Sequence, residues 1–162
     1  MSLTTAIVKW TGAFSNNQVC NSTKSNGIYL LTGKLKYERY NQIQYCGITE
    51  DYFCNRINEK HHKLSQIKSD TLLIWLGEIV YPAKFERSLL ELAEHCFVSF
   101  WQPPLNDRKT IYNPRSSICF ISEWYKSEEQ LYFRRPSILK DLPDVLWWNE
   151  EHWRTGKLMV EK

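Results

Sequence analysis

The sequence has little glycine and proline, six of each in 162 residues, and it lacks long linkers and low-complexity tracts. Hydrophobic residues make up 43% and charged residues 24% of the chain, which excludes disordered and collagen-like proteins. The longest uninterrupted apolar run, residues 72–76, is far too short to cross a bilayer, and the first residues lack a basic segment followed by an apolar one. We therefore expect one globular domain that neither spans a membrane nor carries a secretory signal.

Cysteine is also sparse, and its arrangement is not that of a disulfide framework. The five cysteines are an odd number, include no C-x-x-C pair, and fall largely in apolar or strand-like segments. This usage is typical of reduced thiols that pack in a core, so the sequence predicts a cytoplasmic, intracellular protein. No set of cysteine and histidine residues has the spacing of zinc ligands, so a zinc site is not expected.

Charge of one sign is only slightly in excess, with a net charge of +3, but its distribution is uneven. Residues 1–66 carry 8 Lys and Arg against 4 Asp and Glu, whereas residues 67–106 carry 3 against 5. A basic, tyrosine-rich N-terminal part is compatible with a polyanionic partner, and equally with an ordinary solvated surface. Charge thus suggests a nucleic-acid partner without identifying one.

Hydrophobic patterning predicts a small α/β (α+β) domain. Residues 27–33 and 42–48 have strand-like composition and indicate an antiparallel hairpin with a long loop. We expect an amphipathic helix after the capping residues 49–51, a buried strand at residues 71–81, and a long helix at residues 83–101 that two prolines stop. The order β-β-α-β-α predicts a small, mainly antiparallel three-stranded sheet flanked by helices.

The chain divides into three parts on this interpretation. Residues 1–26 form an N-terminal lead-in, residues 27–106 form the core, and residues 107–162 form a C-terminal extension packed on that core. Within the lead-in, residues 15–26 are polar and predict a loop, while residues 116–124 of the extension predict a strand. The tryptophans of the extension suit packing against the sheet, a homodimer contact, or stacking on nucleic-acid bases.

One acidic residue lies on an otherwise apolar stripe of the long predicted helix. The neighbours of Glu94 on that face, at i−4, i+3, i+4 and i+7, are Leu90, Phe97, Val98 and Trp101. An unpaired carboxylate there costs several kcal/mol, so a cation, a metal or hydrogen-bond donors must compensate it. Glu91 has polar neighbours and Glu86 is intermediate. An ion pair between Glu94 and an arginine is the structural alternative.

Five sequence elements, taken together, point to a known family. In chain order they are Gly27-Ile28-Tyr29, Tyr45-Cys46-Gly47, Arg56, Glu94 and Asn106. In this combination the sequence resembles the GIY-YIG nucleases, with Cys46 where the family usually has isoleucine. The resemblance covers residues 27–106. The two motif tyrosines are 16 residues apart, a longer separation than is usual in the family, although extended hairpins occur in its restriction-enzyme-like members.

The resemblance implies a metal-dependent endonuclease that hydrolyses phosphodiester bonds in DNA. The residues it places in the catalytic site are Tyr29, Tyr45, Arg56, Glu94 and either His61 or His62, with Gly27, Gly47 and Asn106 in supporting positions. Glu94 would hold one Mg²⁺ ion, with Mn²⁺ as a substitute. Either tyrosine is a candidate for the general base, and we give Tyr29 the larger role because its motif is the more faithful match.

The residue types suit phosphodiester hydrolysis. Arg56 supplies fixed charge and planar donors, which match a phosphate better than lysine does. A single carboxylate suits Mg²⁺, a hard ion that keeps much of its hydration. A phenol that accepts a proton needs nearby cations, because its unperturbed pKa is about 10.

Other functions and other roles for these residues stay open. A catalytically silent nucleic-acid-binding module with the same fold is the main alternative, and a structural or interaction protein using its tryptophan-rich tail is the third. Tyr29 and Tyr45 could instead be aromatic residues that pair across a sheet. Arg56 could form an ion pair with Glu50 or Glu59. The histidines could stabilise the C-terminal end of a helix, and Asn106 could end one. Basic residues expected to contact DNA are Lys34, Lys36, Arg39, Lys60, Lys63, Arg134 and Arg135.

Overall fold

The computed structural model describes residues 3–58, 60–107 and 111–158. Within these ranges, seven strands form one mixed sheet with the order β3-β2-β4-β1-β5-β6-β7. The strands are β1 (Thr4–Phe14), β2 (Ser25–Gly33), β3 (Gln42–Tyr52), β4 (Leu73–Tyr81), β5 (Ile118–Tyr125), β6 (Val145–Trp148) and β7 (Trp153–Gly156). The α-helices are α1 (Asn16–Cys20), α2 (Phe53–Arg56) and α3 (Arg87–Trp101), and short 3₁₀ turns occur at Leu64–Gln66 and Ser137–Leu139.

The prediction of a small three-stranded sheet flanked by helices is wrong. Strand β2 pairs antiparallel with both β3 and β4, but β4 also pairs with β1, which in turn pairs parallel with β5. The sheet therefore continues into β6 and β7. The sequence of β1 contains the signal for this, because Ala6, Val8 and Trp10 alternate along the strand and are fully buried.

The prediction of a helix directly after residues 49–51 is also wrong in its extent. Strand β3 continues through those residues to Tyr52, and α2 is only four residues long. The side chain of Asn58 donates to the carbonyl of Asn55 at 2.9 Å and accepts from the backbone N–H of Lys60 at 2.9 Å. Such side-chain bonds to the backbone compete with helical hydrogen bonds, so the chain turns away after α2.

Two further boundaries differ from the sequence prediction. The loop expected at residues 15–26 contains α1, which begins at a capping box formed by Ser15 and Gln18. The long helix begins at Arg87 rather than at residue 83. The strand expected at residues 116–124 is present as β5.

Two apolar clusters cover opposite faces of the sheet. On one face, Ile28, Leu30 and Cys46 pack with Leu90 and Phe97 of α3. On the other face, alternate residues of the same strands, including Tyr29 and Leu31, pack with Phe53 of α2 and Val19 of α1. This alternation follows from the two-residue period of a strand. The motif tyrosine of β2 therefore lies on the face opposite α3.

Two of the C-terminal tryptophans, Trp148 and Trp153, take part in the first of these clusters. Trp148 is buried, and its indole N–H donates to the carbonyl of Pro114 at 2.8 Å. Its ring lies 5.0 Å from that of Trp153. Packing against the sheet is therefore the role of Trp148. Among the described residues, no helix combines the length and the apolar character needed to cross a membrane.

Candidate active site at the edge of β3

An open cavity of about 1310 Å³ lies beside the edge strand β3 and the first half of α3. Its walls also include the segment after α2, the loop at residues 106–107, the first residue of β1 and residues 115–116, which precede β5. Of the residues predicted for the site, it is lined by Tyr45, Arg56, His62, Lys63, Glu94 and Asn106. The fold thus brings together side chains that are up to 61 residues apart in the sequence (106 − 45).

Two glycines near the site allow close contacts: Gly47 with the Tyr29 ring, and Gly27 with the backbone of β4. Gly47 of β3 lies directly opposite Tyr29 of β2, and a Cβ atom at Gly47 would be 2.4 Å from the Tyr29 hydroxyl oxygen. A Cβ at Gly27 would be 1.9 Å from the carbonyl oxygen of Gly77 in β4. Any side chain at Gly47 would therefore displace the Tyr29 ring, and any at Gly27 would separate β2 from β4.

The hydroxyl of Tyr29 is hydrogen-bonded to a buried histidine. Its oxygen lies 2.8 Å from Nε2 of His61, while Nδ1 of His61 accepts from the backbone N–H of Lys63 at 3.1 Å. Burial, together with the nearby charges of Arg56, His62 and Lys63, lowers the pKa of His61 to about 4. The ring is therefore neutral near pH 7. Because Nδ1 is an acceptor, Nε2 carries the proton and donates it to Tyr29.

Tyr45 is the neighbour of Tyr29 on the cavity side. The two phenol rings lie 6.1 Å apart. The oxygen of Tyr29 accepts from His61, and the Tyr29 side chain lowers the pKa of Tyr45, although burial raises that pKa more strongly. Tyr29 therefore lies beside both His61 and the phenol that faces the cavity.

The two tyrosines differ in burial and in their pKa shifts. Burial raises the pKa of Tyr29 strongly, and this side chain is fully buried. Burial and the Glu94 carboxylate also raise the pKa of Tyr45 above its ordinary value, although Arg56 and the Tyr29 side chain act to lower it. Tyr45 is half-buried and lines the cavity. Of the two phenols, Tyr45 is therefore the one that a water molecule in the cavity can reach.

Both histidines left open by the sequence belong to this region, in different positions. Their rings stack in parallel with centroids 5.3 Å apart. The Tyr45 ring meets both edge-on, at 5.4 Å from His61 and 6.5 Å from His62. His61 lies behind the tyrosines, whereas His62 is exposed on the cavity wall. His62 is thus the histidine that a ligand in the cavity would contact.

Arg56 and Glu94 both line the cavity. Arg56 is the last residue of α2 and is exposed, and Glu94 is half-buried on α3. Of the two ion-pair partners proposed for Arg56, Glu50 instead lies 4.0 Å from Arg87, and Glu59 lies outside the described residues. Because Glu94 lines an open cavity, solvent can reach its carboxylate on the otherwise apolar helix face.

The donor set at Glu94 fits a weakly coordinated hard cation rather than a closed metal site. Within residues 3–58, 60–107 and 111–158, no group of three or more Asp, Glu, His or Cys side chains is arranged to hold a metal ion. Mg²⁺ commonly binds through one or two carboxylates and keeps several waters, and substrate phosphates complete its shell. A single half-buried carboxylate on a wide polar cavity is compatible with that mode of binding.

Asn106 holds the outer edge of β3. Its side-chain oxygen accepts from the backbone N–H of Cys46, and its amide donates to the carbonyl of the same residue, each at 2.9 Å. The backbone N–H of Leu105 also donates to the carbonyl of Gln44 at 2.9 Å. These bonds satisfy edge groups of β3 that no neighbouring strand pairs, so the position of Asn106 is supporting rather than chemical.

The basic residues predicted to contact DNA occupy several different surroundings. Lys63 lines the cavity and forms an ion pair with Asp107 at 2.8 Å. Arg135 is turned inward, where it pairs with Asp144 at 3.2 Å and donates to the carbonyl of Leu142. The remaining predicted contacts lie outside the cavity lining, with Lys34 half-buried and the others exposed: Lys34, Lys36, Arg39, Lys60 and Arg134.

Sequence reasoning missed two cations of the cavity. Arg87 and Arg115 both line it, and Arg87 also pairs with Glu91 at 3.1 Å. Arg115 is exposed and precedes β5, so its place in the cavity depends on the unpredicted pairing of β5 with β1.

Comparison with protein-family models, curated proteins and solved structures gives no match to this chain.

Proposed function

We propose that this protein is a metal-dependent endonuclease that hydrolyses phosphodiester bonds in DNA. The observation that carries the proposal is the convergence of Tyr45, Arg56, His62 and Glu94 on one open cavity beside β3. An activated water, positive charge for the phosphoryl oxygens and help for the leaving oxygen are the requirements of this reaction. The side chains around the cavity offer a group of suitable chemistry for each requirement.

In this proposal Tyr45 is the general base and Arg56 binds the phosphate. Tyr45 faces the cavity; burial and the Glu94 carboxylate raise the pKa of its phenol, whereas the Arg56 guanidinium lowers it and so favours the phenolate form. Tyr29 is fully buried and already accepts from His61, so it is a positioning residue. This assignment replaces the larger role that the sequence motif suggested for Tyr29.

Glu94 is the residue that would hold the divalent ion. When bound, Mg²⁺ or Mn²⁺ supplies positive charge that stabilises the negative charge developing on the phosphoryl oxygens. The guanidinium of Arg56 offers two parallel donors to the same oxygens, which suits a planar phosphate edge. His62, exposed on the cavity wall, is the candidate that protonates the leaving oxygen.

Incubation of the full chain with supercoiled plasmid DNA tests the proposal. With Mg²⁺ or Mn²⁺ present we expect nicked or linear DNA, and with a chelator in place of the metal we expect none. Mapping the ends distinguishes hydrolysis at phosphodiester bonds from other damage. If the protein binds DNA but cleaves it neither with Mg²⁺ nor with Mn²⁺, the proposal is contradicted and the catalytically silent binding module is favoured.

A further inference from the structure

The loop that joins β2 to β3, residues 34–41, exposes two aromatic rings to solvent; we call it the tyrosine loop. Tyr37 is 87% exposed and Tyr40 is 76% exposed. Lys36 and Arg39 alternate with them and are also exposed. The ammonium of Lys36 lies 5.2 Å from the centroid of the Tyr37 ring. Aromatic faces and cations are therefore presented together on one surface.

The backbone of the tyrosine loop is held in place at several points. Leu35 turns inward and forms an isolated β-bridge with Ile67, and the carbonyl of Lys34 accepts from the backbone N–H of Lys68 at 2.8 Å. Tyr37 has a φ of 75°, a conformation that tyrosine adopts only where surrounding contacts impose it. The exposed rings thus project from a built loop rather than from a disordered one.

The single carboxylate of the tyrosine loop does not oppose its cations at the surface. Glu38 is half-buried, and its Oε1 accepts from the backbone N–H of Leu35 and from the side-chain amide of Gln44, both at 2.7 Å. In the neighbouring turn, Lys68 adds a further cation and Asp70 a carboxylate. The outer surface of the loop itself is therefore aromatic and positively charged.

We propose that the tyrosine loop binds single-stranded DNA, with Tyr37 and Tyr40 stacking on unpaired bases while Lys36 and Arg39 contact phosphates. Exposed aromatic rings stack on bases of any sequence, but only where the bases are unpaired, whereas cations alone suffice for duplex backbone. This inference rests on the proposed function for its substrate. It makes the substrate a DNA with an unpaired stretch, such as an overhang, a flap or a bubble.

The loop and the candidate site are joined by the same two strands. Gln42, the first residue of β3, pairs with Gly33, the last of β2, and Tyr45 follows three residues later. Because β2 and β3 pair on both sides of a register shift between Leu31 and Thr32, the tyrosine loop has a fixed position relative to Tyr45. An unpaired stretch held by the loop would therefore set the distance from that stretch to the cleaved bond.

Fluorescence anisotropy with the full chain in a chelator measures this binding apart from any cleavage. The probes are labelled oligothymidylate and a blunt duplex, each of about 20 nucleotides per strand. We expect the double variant Tyr37→Ala, Tyr40→Ala to bind the single strand at least about tenfold more weakly, and the duplex within about twofold of the parent. The variant Tyr37→Phe, Tyr40→Phe keeps both ring faces and is expected to bind like the parent.

Two further variants complete the test. Phe133→Ala removes another ring that is 82% exposed, outside the hairpin, and is expected to leave both affinities within about twofold. Lys36→Gln with Arg39→Gln is expected to weaken both complexes and to reduce their salt dependence. Unchanged single-strand affinity in the tyrosine-to-alanine variant, or an equal loss on duplex, would overturn the inference.

The binding result and the nuclease result can be separated. Tyrosine-dependent binding of single strands by a protein that cleaves no DNA would uphold the tyrosine loop as a binding site and refute the proposed nuclease. If the protein cleaves plasmid DNA but its affinity for single strands is unchanged by substitution of both tyrosines, the proposed nuclease is upheld and the tyrosine loop is refuted as a binding site.

Discussion

Tyr29 and Tyr45 differ in what surrounds their hydroxyl groups, although both belong to the same motif pair. The oxygen of Tyr29 accepts from neutral His61, and the Tyr29 ring lies 6.1 Å from that of Tyr45. Only the second phenol borders the open cavity. Sequence reasoning proposed both tyrosines and both histidines for the site and gave Tyr29 the larger role because its motif is the more faithful match. The burial and hydrogen-bond partners that separate the two phenols cannot be read from a motif.

Phenylalanine substitutions distinguish the two tyrosines. Loss of the general base lowers a chemical step by roughly 10²- to 10⁴-fold, so we expect Tyr45→Phe to show a loss of that size. Tyr29→Phe removes the acceptor of the His61 hydrogen bond but leaves the Tyr45 hydroxyl in place, so it is expected to lose less. Single-turnover cleavage with saturating metal and DNA measures the step. A larger loss in Tyr29→Phe than in Tyr45→Phe would return the role of base to Tyr29.

Arg56 offers a second test at the scale of one residue. If its guanidinium contacts the scissile phosphate through two parallel donors, lysine cannot replace it, because an ammonium is a point charge without that planar geometry. We expect Arg56→Lys to cleave nearly as poorly as Arg56→Ala. Cleavage by the lysine variant at the parental rate would mean that Arg56 only screens charge.

At the scale of secondary structure, the site depends on β3 being an edge strand whose outer groups are covered by the loop at residues 103–107. The sequence predicted the hairpin, and β2 and β3 are paired as expected. It did not predict that β3 runs on through the capping residues 49–51, because Thr49, Glu50 and Asp51 suit a helix start as well as a strand end. Pairing with β2 continues as far as Tyr52, so residues 49–51 belong to the strand rather than to a helix.

Asn106→Ala tests whether the side chain of Asn106 stabilises the outer edge of β3. The substitution leaves the backbone N–H and carbonyl of Cys46 without the two side-chain bonds that satisfy them. We expect the free energy of unfolding to fall by about 1–3 kcal/mol, the cost of unsatisfied polar groups. Urea denaturation measures it. Asn21→Ala, which removes an exposed bond to the carbonyl of Asn17, is the matched control and should cost less. Equal losses in the two variants would argue against this role.

At the scale of the molecule, the sheet joins the parts of the chain that the sequence separated into lead-in, core and extension. Trp10 of β1 stacks on Trp124 of β5 at 5.1 Å and donates to Ser122 at 3.0 Å. Lys24 bridges Glu78 and Glu129 at 3.0 and 2.9 Å. These contacts could not be predicted, because pairing between β1 and β5 joins residues more than a hundred positions apart.

Removal of residues 107–162 tests this dependence. The shortened chain would expose the face of Trp10 that Trp124 covers and leave β1 with an unpaired edge. We expect it to lose cooperative unfolding, as followed by far-ultraviolet circular dichroism during urea titration. A cooperative transition in residues 1–106 would show instead that this part of the chain folds independently.

The central claim is that the cavity beside β3 cleaves DNA with a divalent ion held at Glu94. The most direct measurement is the cleavage rate of Glu94→Gln in Mg²⁺, compared with Glu91→Gln, which changes a carboxylate one turn away on the same cavity wall. We expect Glu94→Gln to cleave at least about a hundredfold more slowly than the parent, with DNA binding in a chelator within a few-fold, and Glu91→Gln to stay close to the parental rate. Undiminished cleavage by Glu94→Gln would contradict the claim.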